Sequence, residues 1–165
     1  MNCRISDLNS FDKMRFIEAV GWVFEHSPWV AERAWPARPF ADLGSLLSAM
    51  KSVVETARPE EQLALLRAHP DLGTRARISA ASTDEQAAAG MTQLNPEEFE
   101  RLQRLNSAYR NRFGFPFLFA VKGSTKYDVL DALERRLNAS PEEELQEALR
   151  QVFRIAEFRL RETVE

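Results

Sequence analysis

Residues 140–160 read SPEEELQEALRQVFRIAEFRL, and this stretch carries the pattern that decides the fold. Ser140, followed three residues later by Glu143, forms a capping box, which begins a helix by giving partners to two backbone N–H groups. Apolar side chains then recur every three or four residues, the spacing of one helical face. The members of this stripe are Leu145, Leu149, Val152, Phe153, Ala156 and Leu160. The stretch therefore predicts a long terminal helix with one buried face.

The same helical signals, namely N-cap residues, proline in first turns and glycine at ends, occur along the whole chain. They predict helices over Leu8 to Val20, from Ser27-Pro28 to Trp35, over Asp42 to Ala57, over Pro59 to Ala68, from Ser82 to Gly90, from Asn95-Pro96 to Phe113, and over Thr125 to Asn138. Only Phe115 to Val121 is apolar without helical spacing, and one segment cannot form a sheet. We predict an all-α fold, a single compact domain over residues 1–165 with about eight helices and an extended, buried connection at Phe115 to Val121.

Composition excludes several classes of function. The chain has 165 residues with 22 Lys and Arg against 25 Asp and Glu, and no basic stripe, so nucleic acid is not an expected partner. Its longest apolar run is far shorter than the about 20 residues of a membrane span. Cys3 is the only cysteine and there are two histidines, so no disulfide or thiolate metal cluster is expected. With no secretion signal at the N-terminus, we expect a cytoplasmic protein that does not bind a membrane or a metal.

His69 and Glu85 are the candidates for acid–base chemistry, and each also has an ordinary structural explanation. His69 ends a predicted helix, where the helix dipole favours the imidazolium form, and Asp71 would favour it further. A histidine there can equally cap the last helical carbonyls. Glu85 is able to act as a ligand-binding carboxylate, but its spacing from Ser82 also fits a capping box. The spacing alone favours the structural explanation for both.

Two further features combine apolar surface with polar groups. Gly114 and Pro116 hold the chain extended, so backbone groups nearby need partners that a polar heterocycle could supply, although phenylalanines there more often pack in a core. Arg159 and Arg161 flank Leu160 on the last helix. Because residues two apart diverge by about 200°, only one arginine can point inward as an anion clamp, and both could instead lie on the surface.

Several motifs occur in order and together are specific, although each alone is weak. They are SPWV at 27–30, RPF at 38–40, AHPDLG at 68–73, STDEQ at 82–86, LNSAY at 105–109, RFGFPF at 112–117 and RIAEFRL at 154–160. This series resembles the OHCU decarboxylase family, whose substrate is 2-oxo-4-hydroxy-4-carboxy-5-ureidoimidazoline. The resemblance covers nearly the whole chain. It implies an all-α enzyme that needs neither metal nor organic cofactor and catalyses the last step from urate to (S)-allantoin.

The resemblance also assigns roles to individual residues and suggests a homodimer. His69 and Glu85 would be catalytic, and a small-molecule ureidoimidazoline would be bound by Pro70, Ser82, Phe115, Phe117, Leu118, Phe119 and Arg159. Arg159 is chosen over Arg161 because it lies inside the R-I-x-x-x-R-L pattern. The loop between Gly73 and Ser82 is shorter than is common in the family, which questions any role of that loop in closing the pocket.

Two other functions are compatible with the sequence. The first is a catalytically silent helical binding protein, in which His69 and Glu85 only cap helices. The second is a decarboxylase or lyase that acts on a related ureido acid. Profiling of substrates separates the two enzymes, and the absence of any turnover favours the silent protein.

Overall fold

Nine α-helices lie in the part of the chain that the computed structural model describes, residues 2–73 and 80–165. They are α1 (Ile5–Ser10), α2 (Lys13–Val20), α3 (Trp29–Ala34), α4 (Leu43–Glu55), α5 (Pro59–Arg67), α6 (Ala80–Ala88), α7 (Pro96–Phe113), α8 (Lys126–Arg136) and α9 (Pro141–Thr163). Short 3₁₀ turns follow α2 and α3. Within these described residues the only strand-like pairing is an isolated bridge between Cys3 and Val164. The all-α prediction is confirmed.

Helix ends follow the local chemistry of the sequence. Asn95 accepts a hydrogen bond from the Glu98 backbone N–H, while the Glu98 carboxylate accepts one from the Asn95 N–H, and α7 begins there. Gly114 ends α7 with a φ of 80°, a left-handed conformation that glycine adopts without a steric penalty. Thr125 caps α8 by accepting from the Asp128 N–H. These three boundaries confirm the predicted ones.

Two predicted boundaries are wrong. The single helix expected over Leu8 to Val20 is two helices, because Phe11 is extended and the Asp12 carboxylate accepts a hydrogen bond from the Arg15 N–H to begin α2. The helix expected to begin at Ser82 begins at Ala80, so Ser82 lies inside the helix and is not its N-cap. The short loop before Ser82 lies largely at residues 74–79, outside the described residues.

The chain divides into two compact units, Met1–Ala68 with Phe153–Glu165, and His69–Val152. In the first unit, α3 packs against α2 and α4. Its fully buried side chains include Phe16, Val30, Leu46, Met50 and Leu160. The two ends of the chain meet in this unit, since the Cys3 N–H donates to the Thr163 carbonyl over 2.9 Å.

The second unit contains α6, α7, α8 and the first part of α9, and α7 packs against α8. Its core is built from Leu102, Tyr109, Phe117, Leu130 and Leu133, all fully buried. Residues 115–121, which we call the aromatic segment, are non-helical, and only Phe119 among them is more than slightly exposed. This agrees with the predicted extended, buried connection. None of the described helices has the length and apolarity needed to span a membrane.

Candidate active site

His69 begins a sharp turn, residues 69–73, which we call the His69 turn. The imidazole is buried, with 6% of the residue exposed. Gly73 ends the turn with a φ of 74°, and a β-carbon built there would lie 2.4 Å from Cδ2 of Leu102 in α7. Glycine meets both demands, because any other residue would strain the left-handed backbone and displace the Leu102 side chain. The glycine of the AHPDLG motif is therefore explained by the packing of the turn.

The peptide group that joins Leu72 to Gly73 is hydrogen-bonded on both sides by buried side-chain amides. Asn106 in α7 donates from Nδ2 to the Leu72 carbonyl over 3.1 Å. The Gly73 N–H donates to Oε1 of Gln86 in α6 over 2.8 Å. Asp71 adds an ion pair with Arg110 at 3.1 Å, in which both side chains are substantially exposed. These bonds hold the His69 turn against α6 and α7.

Helix α6 carries Ser82 and Glu85 on neighbouring positions of one face, since residues three apart in a helix are adjacent. Ser82 is buried and Glu85 is half-buried. Because α6 begins at Ala80, Glu85 lies well inside the helix and cannot be the capping-box partner of Ser82. The structural explanation that the spacing favoured for Glu85 is therefore wrong. The hydrogen bond from Gly73 to Gln86 brings the His69 turn to the helix that carries both residues.

The phenylalanines of the aromatic segment surround one tyrosine of α7. Phe115 and Phe117 are buried and meet the Tyr109 ring edge-on, with centroids 5.9 and 5.4 Å away. Phe119 stacks on Phe117 at 6.0 Å and is partly exposed. Edge-to-face contacts at these distances stabilise an aromatic core. Pro116 and Leu118 are buried in the same segment.

Two backbone groups of the aromatic segment find partners inside the protein. Arg136 in α8 donates from Nη1 to the Leu118 carbonyl over 2.5 Å. The Ala120 N–H donates to Oε1 of Gln151 in α9 over 2.9 Å. The sequence indicated that this backbone needs partners but did not identify these side chains. A usable signal exists for Arg136, which follows Leu133 by three residues and so shares its buried face.

Arg136 also belongs to a buried polar cluster with Tyr109 and Glu144. Its Nε donates to Glu144 Oε1 over 2.6 Å, and the Tyr109 hydroxyl donates to the same oxygen over 2.5 Å. Burial, and then the hydrogen bond to Glu144, raise the pKa of Tyr109 far above its ordinary value. The phenol is therefore neutral and acts as a donor that orients the carboxylate.

Arg159 belongs to the first unit and is buried there, whereas Arg161 is exposed. Its Nη2 donates to Glu25 Oε2 over 3.0 Å, and its Nη1 approaches the carbonyls of Trp22 and Val23 at 3.4 Å. The expectation that only one of the two arginines points inward is confirmed. The inward arginine makes a buried ion pair with a glutamate that sequence analysis did not single out.

A cavity of about 260 Å³ adjoins the His69 turn, lined by residues 71–73 and by α7 side chains that include Leu102 and Asn106. The predicted catalytic residues are not among the residues that line it. Within the described ranges, no group of three or more His, Cys, Asp or Glu side chains is arranged to hold a metal ion.

The all-α fold and the ordered motifs agree with a comparison to known families. A family model described as OHCU decarboxylase matches residues 9–161. The chain therefore belongs to the OHCU decarboxylase family.

Two relatives named as decarboxylases are similar along nearly their whole length. The 2-oxo-4-hydroxy-4-carboxy-5-ureidoimidazoline decarboxylases of Halalkalicoccus jeotgali and Haloferax volcanii are 47% and 49% identical to this chain over 158 residues. Each alignment covers 96% of this chain, and 90% and 94% of the relatives respectively. A crystal structure of (S)-allantoin synthase is similar with a TM-score of 0.80 and 34% identity, and the match covers 98% of this chain and 54% of that chain.

Proposed function

We propose that this chain decarboxylates 2-oxo-4-hydroxy-4-carboxy-5-ureidoimidazoline to (S)-allantoin, the last step from urate to allantoin in purine catabolism. The observation that carries the proposal is the family match over residues 9–161. Two relatives named as decarboxylases of this substrate are 47% and 49% identical to the chain. The enzyme is thus a carboxy-lyase with a small-molecule substrate.

The substrate supplies its own electron sink. One ring carbon carries both the hydroxyl and the carboxylate, and the next ring carbon is double-bonded to nitrogen. When the bond to the carboxylate breaks, its electron pair moves into the adjacent C=N bond and CO₂ leaves. The hydroxyl then becomes a carbonyl by losing its proton, while the former C=N carbon and its nitrogen each gain one. The net change is the uptake of one proton, and the face that receives the carbon-bound proton sets the configuration of allantoin.

His69 and Glu85 are the residues that we assign to this chemistry. The protein has to orient the breaking bond and move protons on one face of the ring. In our proposal the two side chains hold the substrate hydroxyl, and His69 exchanges the proton. The location of Glu85 inside α6 supports this assignment, because a capping-box role does not explain it. The burial of His69 places its imidazole away from bulk solvent, as an acid–base group in a pocket would be.

The remaining residues would bind and orient the substrate. Pro70 would form the pocket wall beside His69, and Ser82 lies one turn before Glu85 on α6. The Phe115 side chain would pack against the ring, and backbone groups of Phe117, Leu118 and Phe119 would bind its polar edge.

Arg159 would bind a ureido or ring oxygen, or the substrate carboxylate. Its ion pair with Glu25 fixes the guanidinium in one position, which supports a role in recognition.

A coupled reaction from urate tests the proposal. Urate oxidase and hydroxyisourate hydrolase generate the unstable substrate, and circular dichroism follows allantoin. We expect a fast rise of one enantiomer's signal and a loss of about 10²–10⁴-fold in kcat for His69→Asn. Tyr127→Asn is the surface control, because Tyr127 is 60% exposed in α8.

Two results would contradict the proposal. A trace equal to the slow, racemic spontaneous decay would mean that the scaffold is kept without this chemistry, and related ureido acids would then be profiled as substrates. Near-normal turnover by folded His69→Asn would leave the reaction in place but remove His69 from its centre.

We also propose a domain organisation, an oligomeric state and a cellular location for the protein. We take residues 1–165 as one OHCU decarboxylase domain, since the family model runs through both compact units. A cytoplasmic homodimer is proposed as well, and the exposed Trp22 and Met14 offer apolar contact area for it. Light scattering after gel filtration tests the dimer, and cell fractionation tests the location.

A further inference from the structure

One peptide group of the His69 turn is held from both sides by side chains of different helices. The carbonyl of Leu72 accepts from Asn106 Nδ2, and the N–H of the same peptide, on Gly73, donates to Gln86 Oε1. Both amide side chains are at least nine-tenths buried. Asn106 lies 34 residues from Leu72, and Gln86 lies 13 residues from Gly73, so the arrangement is tertiary and not a local turn motif.

We propose that Asn106 and Gln86 are positioning residues that set the orientation of His69 by fixing the Leu72–Gly73 peptide. The inference rests on the catalytic role proposed for His69. It adds two residues that do not need to touch the substrate, and it assigns them a measurable effect on the imidazole.

The chemistry of the two amides matches the peptide that they hold. A peptide group presents one acceptor and one donor, and a primary amide carries both kinds of atom, so each end of the peptide can be matched. Asn106 supplies the donor and Gln86 the acceptor. Among the described residues no donor reaches Asn106 Oδ1, so the side chain of Asn106 is held in these residues through the bond from its Nδ2 to the Leu72 carbonyl.

The backbone between this peptide and His69 is short and stiff. Three residues separate Gly73 from His69, and Pro70 has its φ restricted by its ring. On the other side, Gly73 is packed so closely against Leu102 that a β-carbon does not fit. Few rotatable backbone bonds therefore lie between the Leu72–Gly73 peptide and His69, so a rotation of this peptide changes the orientation of His69.

The bond to Gln86 has a second consequence, because Gln86 directly follows Glu85 in α6. The same hydrogen bond that fixes the His69 turn thereby sets its register against the helix of Glu85 and Ser82. Catalysis by two groups depends on their mutual geometry, and a displacement of about 1 Å can cost about 10²-fold in rate.

Nuclear magnetic resonance of the imidazoles tests the proposal without using activity. The chain has two histidines, so the signals of His69 are read directly and those of His26 serve as an internal reference. Asn106→Leu removes the donor, and Gln86→Leu removes the acceptor. We expect each variant to shift or split the His69 signals while the His26 signals stay in place.

Kinetics provide the second readout. In the coupled reaction, we expect Asn106→Leu to lower kcat by about 10–100-fold with KM changed by less than about threefold, since misorientation of a catalytic group acts on the chemical step. A loss of stability alone would instead lower the amount of active enzyme and leave kcat per folded molecule unchanged.

Three controls separate positioning from general damage. Asn111→Leu makes the same substitution at an exposed position of α7, and should leave the His69 signals and kcat at wild-type values. Gln86→Glu keeps an oxygen acceptor for the Gly73 N–H, and should keep the His69 signals close to wild type. Met50→Ala weakens the core of the first unit, and should lower Tm without moving the His69 signals.

A failure of the positioning role can be told apart from a failure of the catalytic role proposed for His69. Folded Asn106→Leu and Gln86→Leu proteins with wild-type His69 signals and kcat would overturn the positioning role. If one leucine variant does not fold, the other decides; if neither folds, Asn106→Asp, which has no N–H to donate at that side chain, replaces them. If His69→Asn stays active, the catalytic assignment fails, and the imidazole signals of the Asn106 and Gln86 variants still report whether these two residues orient His69.

Discussion

Gly73→Ala tests how tightly the His69 turn is packed. Gly73 has a φ of 74°, and its added β-carbon would lie 2.4 Å from Cδ2 of Leu102, a fully buried residue. The left-handed backbone costs an L-residue about 1–2 kcal/mol. Forcing an extra carbon into a packed site adds about 1–3 kcal/mol. We therefore expect the substitution to lower the free energy of unfolding by about 2–5 kcal/mol.

Urea unfolding measures this loss, and Gly90→Ala is its matched control. Gly90 has a φ of 81°, but among the described atoms none lies within 4 Å of its added β-carbon, so only the backbone cost of about 1–2 kcal/mol applies. Both substitutions restrict the unfolded chain equally, so that contribution cancels in the comparison. In a Leu102→Ala background, which removes the obstructing methyl group, Gly73→Ala should cost no more than Gly90→Ala. Equal costs for the two substitutions in the wild-type background would refute the packing argument.

The remaining predictions concern two buried polar groups. The pKa of Tyr109 is raised in the folded protein, so its protonated hydroxyl adds to the free energy of unfolding. This addition is complete below the ordinary pKa of 10.0 and is lost above it, at about 1.4 kcal/mol per pH unit. Tyr109→Phe should lack this decline when urea unfolding is measured between about pH 9 and 11, and an identical decline in the variant would contradict the shift. Arg159→Met should destabilise the fold by about 3–5 kcal/mol in the same assay, because it removes the cation paired with buried Glu25. A loss below about 1 kcal/mol would show that the ion pair is not needed there.

The sequence predicted the helices well where a boundary depends on neighbouring residues. The Asn95 cap and the Gly114 terminus of α7 are local chemistry, so their positions follow from the residues themselves. The break at Phe11 was missed because the apolar periodicity continues across it. The start of α6 was missed because Ser82 and Glu85 have the spacing of a capping box although both lie inside the helix.

The site was predicted only in part, for a physical reason. His69 and Glu85 belong to recognisable motifs, whereas Arg136 and Gln151 look like ordinary polar residues of helices. Their roles come from hydrogen bonds to the aromatic segment. Arg136 lies 18 residues along the sequence from its partner Leu118, and Gln151 lies 31 residues from its partner Ala120. The spacing of Arg136 from Leu133 indicates a shared buried face, but no local pattern encodes which backbone group a helix side chain will meet.

Helix α7 connects the two parts of the candidate site in the second unit. Asn106 and Tyr109 are three residues apart and therefore neighbours on one helical face. The first holds the His69 turn, and the second packs against the phenylalanines of the aromatic segment. A rotation or shift of α7 would move both partners at once, so the caps that fix its ends also limit how the two segments can move. Buried polar residues are expensive to keep in a core, and here they occur where they hold backbone that no helix or sheet could satisfy.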